Sequence, residues 1–187
     1  MPPTIDMLDH AGLTAPDIAG LRALFDAKYH DDFGEWNPDR PYGYSPADFH
    51  VVARQTDAAG ERIVGHVGIQ RRRIRVGEAE AVIAGTGGVL VARDARGTGL
   101  GEVLLEAAAR ATVERADAEF GYLGCREAIV PFSEACGWTR IHAEEVCLSR
   151  LDGVTPVVST GPLLIRGGTR PVADWPAGPI VLRGTPW

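Results

Sequence analysis

The sequence predicts an α/β fold: a mixed central sheet flanked by helices, with a strand-rich C-terminal extension. Three observations carry the prediction. Strand-like apolar patterns cluster between residues 49 and 92, segments with apolar residues at helical spacing stand on both sides of them, and an Arg/Gly-rich turn leads from the last of these strands straight into a helix.

The elements follow in order. After a polar start, residues 17–29 read as an amphipathic helix, with Ile18, Leu21, Leu24 and Phe25 at helical spacing and Thr14 or Asp17 available to begin it. Residues 30–48 read as a loop, because prolines and glycines punctuate Asp31, Asp32, Glu35, Asp39 and Asp48 and the aromatics Phe33, Trp36, Tyr42 and Tyr44. Strands are expected at 49–55, 63–75 and 79–83, joined by turns at 57–60 and 76–78, with a further strand at 88–92. Leu100, Val103, Leu104, Ala107, Ala108 and Ala111 then form one apolar stripe on a helix that runs to about Arg115. A short buried strand at 120–123 and a short helix at 127–136, ending at Gly137, follow. Weaker strand patterns stand at 146–151, 162–166 and 179–183 in a Pro/Gly-rich tail. The chain reads as one domain over residues 1–187, with a core at about 1–150 and an extension at 151–187.

Composition narrows the function. At 187 residues, 45% hydrophobic and 24% charged, the chain has material for a packed core and excludes collagen, coiled coil and wholesale disorder. With 25 acidic and 19 basic residues the net charge is −6, which argues against nucleic acid as a partner and favours a cationic ligand. All the basic residues but Lys28 are arginine, the fork-shaped donor suited to phosphate. No apolar run reaches the ~20 residues of a membrane helix, and the start lacks the basic and apolar regions of a signal peptide. Cys125, Cys136 and Cys147 lack metal-type spacing. A cytoplasmic protein with reduced cysteines, no metal and no membrane association is expected; the oligomeric state, monomer or homodimer, stays open.

The segment that carries chemistry is Val89-Leu90-Val91-Ala92-Arg93-Asp94-Ala95-Arg96-Gly97-Thr98-Gly99-Leu100-Gly101. The first amides of a helix lack intrahelical acceptors and its dipole makes that end electropositive. Glycines let the backbone approach a phosphate, and Arg96 adds a charged fork. A Walker loop would need Gly-Lys-Ser/Thr, and Gly97-Thr98-Gly99-Leu100-Gly101 is too compact for a dinucleotide fingerprint. The alternative is a Gly-rich helix start with an incidental arginine.

This segment resembles the pyrophosphate-binding motif of the GCN5-related N-acetyltransferases (GNAT), Gln/Arg-x-x-Gly-x-Gly/Ala, with Arg96, Gly99 and Gly101 in the specified positions. The resemblance implies the GNAT fold, acetyl-CoA as co-substrate, the cradle Arg96, Gly97, Thr98, Gly99, Leu100 and Gly101 for its pyrophosphate, and Val89 and Val91 as backbone partners of the pantetheine arm. Phe132-Ser133-Glu134-Ala135-Cys136-Gly137-Trp138 is similar to the family's aromatic-Tyr-x-x-x-Gly-aromatic pattern. Ser133 stands where many members have a tyrosine acid for the departing thiolate, and Gly87 where many have a glutamate base.

Two subfamilies look closer. Aminoglycoside 2'-N-acetyltransferases are similar at Asp32-Phe33, Ile69-Gln70-Arg71-Arg72, Asp94, Arg96-Gly97, Asp174-Trp175-Pro176-Ala177-Gly178 and Trp187. Nodulation N-acyltransferases, which acylate an aminosugar oligosaccharide, are similar from Arg72 to Glu78 and from Trp175 to Gly178. Both imply an amine on a sugar as acceptor.

An amine attacks a thioester only when neutral, so the site needs a proton acceptor. The candidates are Asp32, Glu35, Asp174, His142 and the carboxylate of Trp187. The acidic loop reads either as a solvated loop or as a receptor for a polycationic aminosugar, with Asp32, Glu35 and Asp174 binding ammonium groups and Trp36, Tyr42 and Tyr44 stacking on sugar faces. His50 and His66 read as core or edge residues. Arg71, Arg72 and Arg73 alternate faces and so form no single patch; a CoA phosphate contact or solvent exposure is expected of them. The leading expectation is an acetyl-CoA-dependent N-acetyltransferase acting on an aminosugar or aminoglycoside. The alternatives are transfer of a longer acyl chain from acyl carrier protein, and a non-catalytic acyl-CoA-binding domain.

Overall fold

The chain opens with a strand where sequence reading expects a polar lead-in. In the computed structural model, which describes residues 2–58 and 60–187, β1 (Thr4–Asp9) pairs antiparallel with β2 (Phe49–Asp57) from Thr4 opposite Arg54 to Asp9 opposite Phe49. Ile5 and Met7 pack on one face and Leu8 on the other, an alternation masked by the intervening Asp6. Part of the turn expected at 57–60 falls on Ala59, which with Met1 lies outside the described residues.

α1 (Ala15–Phe33) is longer than its apolar stripe. It starts on a capping box in which Asp17 N donates to Thr14 Oγ1 and Thr14 N donates to Asp17. It stops only at Gly34, whose φ of 78° a side chain would disfavour, so Asp31, Asp32 and Phe33 belong to the helix and not to the loop.

β3 (Gly60–Val76) and β4 (Ala79–Val91) form the long central hairpin. The strands expected at 79–83 and 88–92 are one strand. The Ala84–Gly88 run breaks nothing, because its small residues make room for what packs on them. A Cβ on Gly85 would stand 2.0 Å from the Trp187 indole, and one on Gly87 would stand 2.6 Å from the main-chain carbon of Trp187.

α2 (Leu100–Glu114), β5 (Phe120–Gly124) and α3 (Val130–Ala135) follow, the last preceded by a 3-10 turn over Glu127–Ile129. The remaining strands are β6 (Thr139–Ile141), β7 (Glu145–Leu148), β8 (Pro156–Ser159), β9 (Leu163–Gly167) and β10 (Ile180–Val181). The sheet runs β6-β9-β5-β4-β3-β10-β7-β8, with β1 and β2 attached beside β3. The 151–187 segment thus contributes three strands to the same sheet. Val51 and Ala53 pack with Leu104, Leu105 and Ala108 of α2, whereas Val52 packs with Leu21, Leu24 and Phe25 of α1. Successive β2 residues face opposite ways, so the two helices cover opposite faces of the sheet.

Pairing leaves one gap. β4 and β5 run parallel from Ile83 opposite Phe120 to Thr86 opposite Leu123, and there the pairing stops. β4 continues to Val91, still held on its other side by β3, with a bulge in which Gly88 and Val89 oppose the single residue Val67. Gly88 takes φ 57° at that bulge. The two parallel strands part at the point where the chain gathers its functional residues.

Candidate active site

A cavity of about 700 Å³ fills the gap between β4 and β5, a size suited to a small-molecule substrate. Its wall includes Val89, Val91, Arg96, Gly101, Phe132 and Ser133, and an aromatic group of Phe25, Tyr29, Phe33, Trp36, Tyr42 and Trp187. The loop after α1 supplies aromatic and proline walls at Trp36, Pro38, Pro41 and Tyr42, and a carboxylate of α1 helps to hold it. Asp26 accepts from Trp36 N at 2.8 Å and from the Tyr42 hydroxyl at 3.4 Å, which with burial pushes Tyr42 up to about 12.

The Arg/Gly-rich turn has the shape an anion needs. Gly97 and Gly99 take φ of 74° and 82°, both open to left-handed backbone, and Gly99 caps α2. The amides of Leu100 and Gly101 precede the first intrahelical bond, from Glu102 N to Gly99 O at 3.1 Å. The Leu100 side chain is buried in the core, so that residue offers its backbone. Gly101 lets Phe132 approach, since a Cβ there would meet its ring at 3.2 Å. Arg96 Nε donates to Val91 O at 3.0 Å, tying the fork to the end of β4, and Thr98 Oγ1 donates to Ala95 O at 2.8 Å. The Arg62–Asp94 ion pair at 2.6 Å fastens the turn to β3.

Ser133 lines the cavity with its hydroxyl buried and without a partner among the described residues. Such a donor carries a desolvation cost that a ligand atom can relieve. Trp187 lies over Gly85 and Gly87 of β4, donating from Nε1 to Gln70 at 3.1 Å under the Arg72 guanidinium, 4.2 Å from its ring. Arg72 is neither in solvent nor on a phosphate site, as the sequence suggested. It donates to Thr185 O at 2.9 Å, Ser45 Oγ at 2.6 Å and Gln70 Oε1 at 2.6 Å, clamping the C-terminal segment; burial lowers its pKa to about 10, still charged at neutral pH.

Sequence reading missed Glu145 and Tyr122. Both are buried, both line the cavity, and the tyrosine hydroxyl donates to the carboxylate. Burial pushes Glu145 upward, against the pull of Tyr122, Ser159 and Arg72, and pushes Tyr122 upward as well. A carboxylate at the head of the apolar Val146-Cys147-Leu148 run was the available signal, hidden because the strand was begun one residue late. His50 and His66 are buried as expected, yet both line the cavity. Burial lowers them to about 3 and about 4, so both are neutral at neutral pH.

The remaining candidates fall elsewhere. Asp32 is exposed on the last turn of α1, Glu35 pairs with Arg22 at 3.3 Å, and Asp174 pairs with Arg170 at 3.4 Å. None of these three, nor His142, lines the cavity. Trp36 does, but it is 2% exposed and stacked on Phe25 at 4.9 Å, so its ring offers no face to a sugar; its buried, unpartnered Nε1–H is the part left to reach a ligand. The charged side chains in the wall are Lys28, Arg96, Arg126, Arg150 and Glu145. No cluster of metal-ligating side chains occurs among the described residues, and no helix there is long and apolar enough to cross a membrane.

Comparison with known proteins places this architecture. The chain aligns over 97% of its length, and 90% of the other chain, with a GNAT family N-acetyltransferase (YhbS) from Escherichia coli solved in complex with CoA, at TM-score 0.62 and 17% identity. An acyl-CoA N-acyltransferase from Pseudomonas aeruginosa matches 88% of this chain and 99% of its own, at TM-score 0.57 and 19% identity. Escherichia coli ElaA does so over the same shares at TM-score 0.55 and 19% identity. These likenesses establish the GNAT fold. A search of curated proteins finds no match. The model of one sequence family, nodulation protein A (NodA), matches residues 9–186, from the last residue of β1 to the penultimate residue. With nearly its whole length matched and its fold that of the GNAT superfamily, the chain belongs to the nodulation protein A family.

Proposed function

We propose that this protein is an N-acyltransferase that moves an acyl group from a pantetheine thioester, acetyl-CoA in the simplest case, to an amine of an aminosugar. The observation that carries the reading is the unpaired stretch of β4. It runs from a Gly-rich, Arg-bearing helix start into a cavity with an aromatic group in its wall.

In this reading the donor's pyrophosphate sits on the amides of Leu100 and Gly101 with Arg96 beside it. Its pantetheine arm pairs with the backbone of Val89 and the Val91 amide, where β5 has turned away. Backbone amides of the same stretch stabilise the oxyanion as the amine attacks the thioester carbon. The C–S bond then breaks, and the Ser133 hydroxyl donates to the departing thiolate. Glu145 is the carboxylate that meets the acceptor's ammonium, and Trp187 walls the acceptor side.

A wall with four cationic side chains and one side-chain carboxylate suits an acceptor with a single amine better than a polycation. The aminosugar of this reading is therefore one with a lone free amine, such as a partly N-acetylated glucosamine oligosaccharide or kasugamycin. A second reading, a longer acyl chain delivered by acyl carrier protein, is favoured by the apolar lining at Phe25, Leu105, Leu123, Ile129 and Phe132 and by the family match. Each buried methylene adds ~0.8 kcal/mol to donor binding. Thiol release is the test, measured with acetyl-CoA, octanoyl-CoA and an acyl carrier protein against single-amine and polyamine sugars. Turnover with a single-amine sugar supports the reading, and the preferred donor chooses between its two forms. Tight CoA binding without release for any pairing refutes it.

A further inference from the structure

Of the four cationic side chains in the cavity wall, two are engaged by the protein itself. Lys28 Nζ stands 4.8 Å from the centroid of the Tyr29 ring. Arg150 lies 4.1 Å from that of Tyr44 and donates to Tyr42 O at 3.4 Å. The other two, both exposed, keep donors unused. Arg96 spends Nε on Val91 O, and its terminal nitrogens have no hydrogen bond among the described residues. The Arg126 guanidinium has neither a hydrogen bond nor an ion pair among them. Its acidic neighbour Glu127 is held elsewhere, by Arg140 at 2.8 Å.

Strand order brings these two arginines to one opening. β4 and β5 are parallel neighbours, so the turns that follow them leave from the same edge of the sheet. Arg96 stands in the turn after β4. Arg126 stands two residues beyond the end of β5, and continuing the register from Thr86 opposite Leu123 sets it level with Val89 across the gap. The second turn is fixed along its length. Cys125 N donates to Pro162 O at 3.1 Å and Ile129 N to Arg126 O at 2.8 Å. Its far side returns to the first turn, since Phe132 of α3 packs so close to Gly101 that a Cβ there would meet the ring at 3.2 Å. The gap thus has one unpaired arginine on each bank, with the open amides of Leu100 and Gly101 on the β4 side.

We propose that Arg126 is the second arginine of the donor site, and that it and Arg96 hold one phosphate between them: the phosphate esterified to pantetheine, which free CoA and the prosthetic group of a carrier protein share. The proposal rests on the acyl-transfer reading above and adds to it which part of the donor is read. A guanidinium offers paired N–H groups that match two phosphate oxygens, so arginines on opposite banks fill oxygens that the helix amides leave open. The level of Arg126 selects the phosphate. The pantetheine arm begins at this phosphate and runs inward past Val89, whereas the 3'-phosphate of CoA lies beyond a second phosphate and a ribose. An arginine level with Val89 therefore meets the near phosphate, and the nucleotide beyond it goes unread by this residue.

The test is isothermal titration of CoA, dephospho-CoA and 4'-phosphopantetheine into the unmodified protein, Arg126→Ala and Arg126→Lys, which needs no turnover. Arg126→Ala is expected to raise Kd about tenfold, and by the same factor for all three ligands, at unchanged Tm because the side chain has no structural partner to lose. Arg126→Lys keeps the charge without the fork and is expected to recover part of the loss. Tighter binding of CoA than of phosphopantetheine marks the free cofactor as the source of the phosphate and equal binding marks a carrier protein; the same loss is expected in either case. An unchanged Kd for all three in Arg126→Ala overturns the proposal and leaves acyl transfer standing. A loss confined to CoA also overturns it, by placing Arg126 on the 3'-phosphate. Failure of the unmodified protein to bind any of the three refutes the acyl-transfer reading, and this proposal with it.

Discussion

Arg96, Ser133 and Glu145 line one cavity, and the three tasks that the proposed acyl transfer assigns them are separable by single substitutions. Arg96→Ala removes a fork tied to Val91 and leaves the backbone amides of the cradle in place. It is expected to raise the donor's KM about tenfold, the worth of one charge-assisted hydrogen bond, with kcat little changed in steady-state assays. Ser133→Ala is expected to lower kcat about tenfold at unchanged donor affinity, since its hydroxyl has no structural partner to lose. Glu145→Gln keeps shape and removes charge; it is expected to raise the acceptor's KM and leave CoA affinity alone, as isothermal titration would show. The helix start at Gly99 was legible in the sequence because its physics is local: glycines, then an apolar stripe. The surroundings of Glu145 were not, because Tyr122, Ser159 and Arg72 come from strands distant in sequence. Asp32, Glu35 and Asp174 show the converse, since exposed carboxylates on a polar loop carry no signal of where the chain will turn them.

Strands and helices were read well where periodicity was strong, as in α2, and poorly where neighbours decide. β4 was split in two because its Gly and Ala run looks like a break, although in the folded protein those residues make room for Trp187. Gly85→Ala would push a methyl into that indole. Displacement of Trp187 and of the segment clamped by Arg72 is expected, with a fall in Tm and loss of activity, whereas Gly97→Ala, where nothing lies within 4 Å, perturbs only a positive φ and costs less. The start of α1 was visible as Thr14 and Asp17, and its capping box gives a clean number. Thr14→Ala is expected to cost about 1 kcal/mol in urea unfolding at unchanged donor affinity.

For the whole molecule, the net charge of −6 does not say where the carboxylates stand. Many of the carboxylates pair with arginines at the surface, as Asp94 does with Arg62 and Glu80 with Arg183, while the side chains of the cavity lean cationic. Charge totals say how much there is, while the fold decides where it goes. The buried histidines set an acid limit on stability. Folded values of about 3 and 4 lie below the 6.5 of the unfolded chain, so their contribution is complete above 6.5 and declines as pH falls toward 4. Tm is accordingly expected to drop between pH 7 and pH 5, and less steeply in His50→Gln. The central claim is transfer of an acyl group to a sugar amine in the gap between β4 and β5. The measurement that tests it most directly is mass spectrometry of single-amine aminosugars incubated with acetyl-CoA and octanoyl-CoA. The account predicts a sugar heavier by one acyl group on nitrogen, absent with Glu145→Gln at low acceptor concentration and restored at high. Unmodified sugars, from protein that binds CoA and is folded, would contradict it.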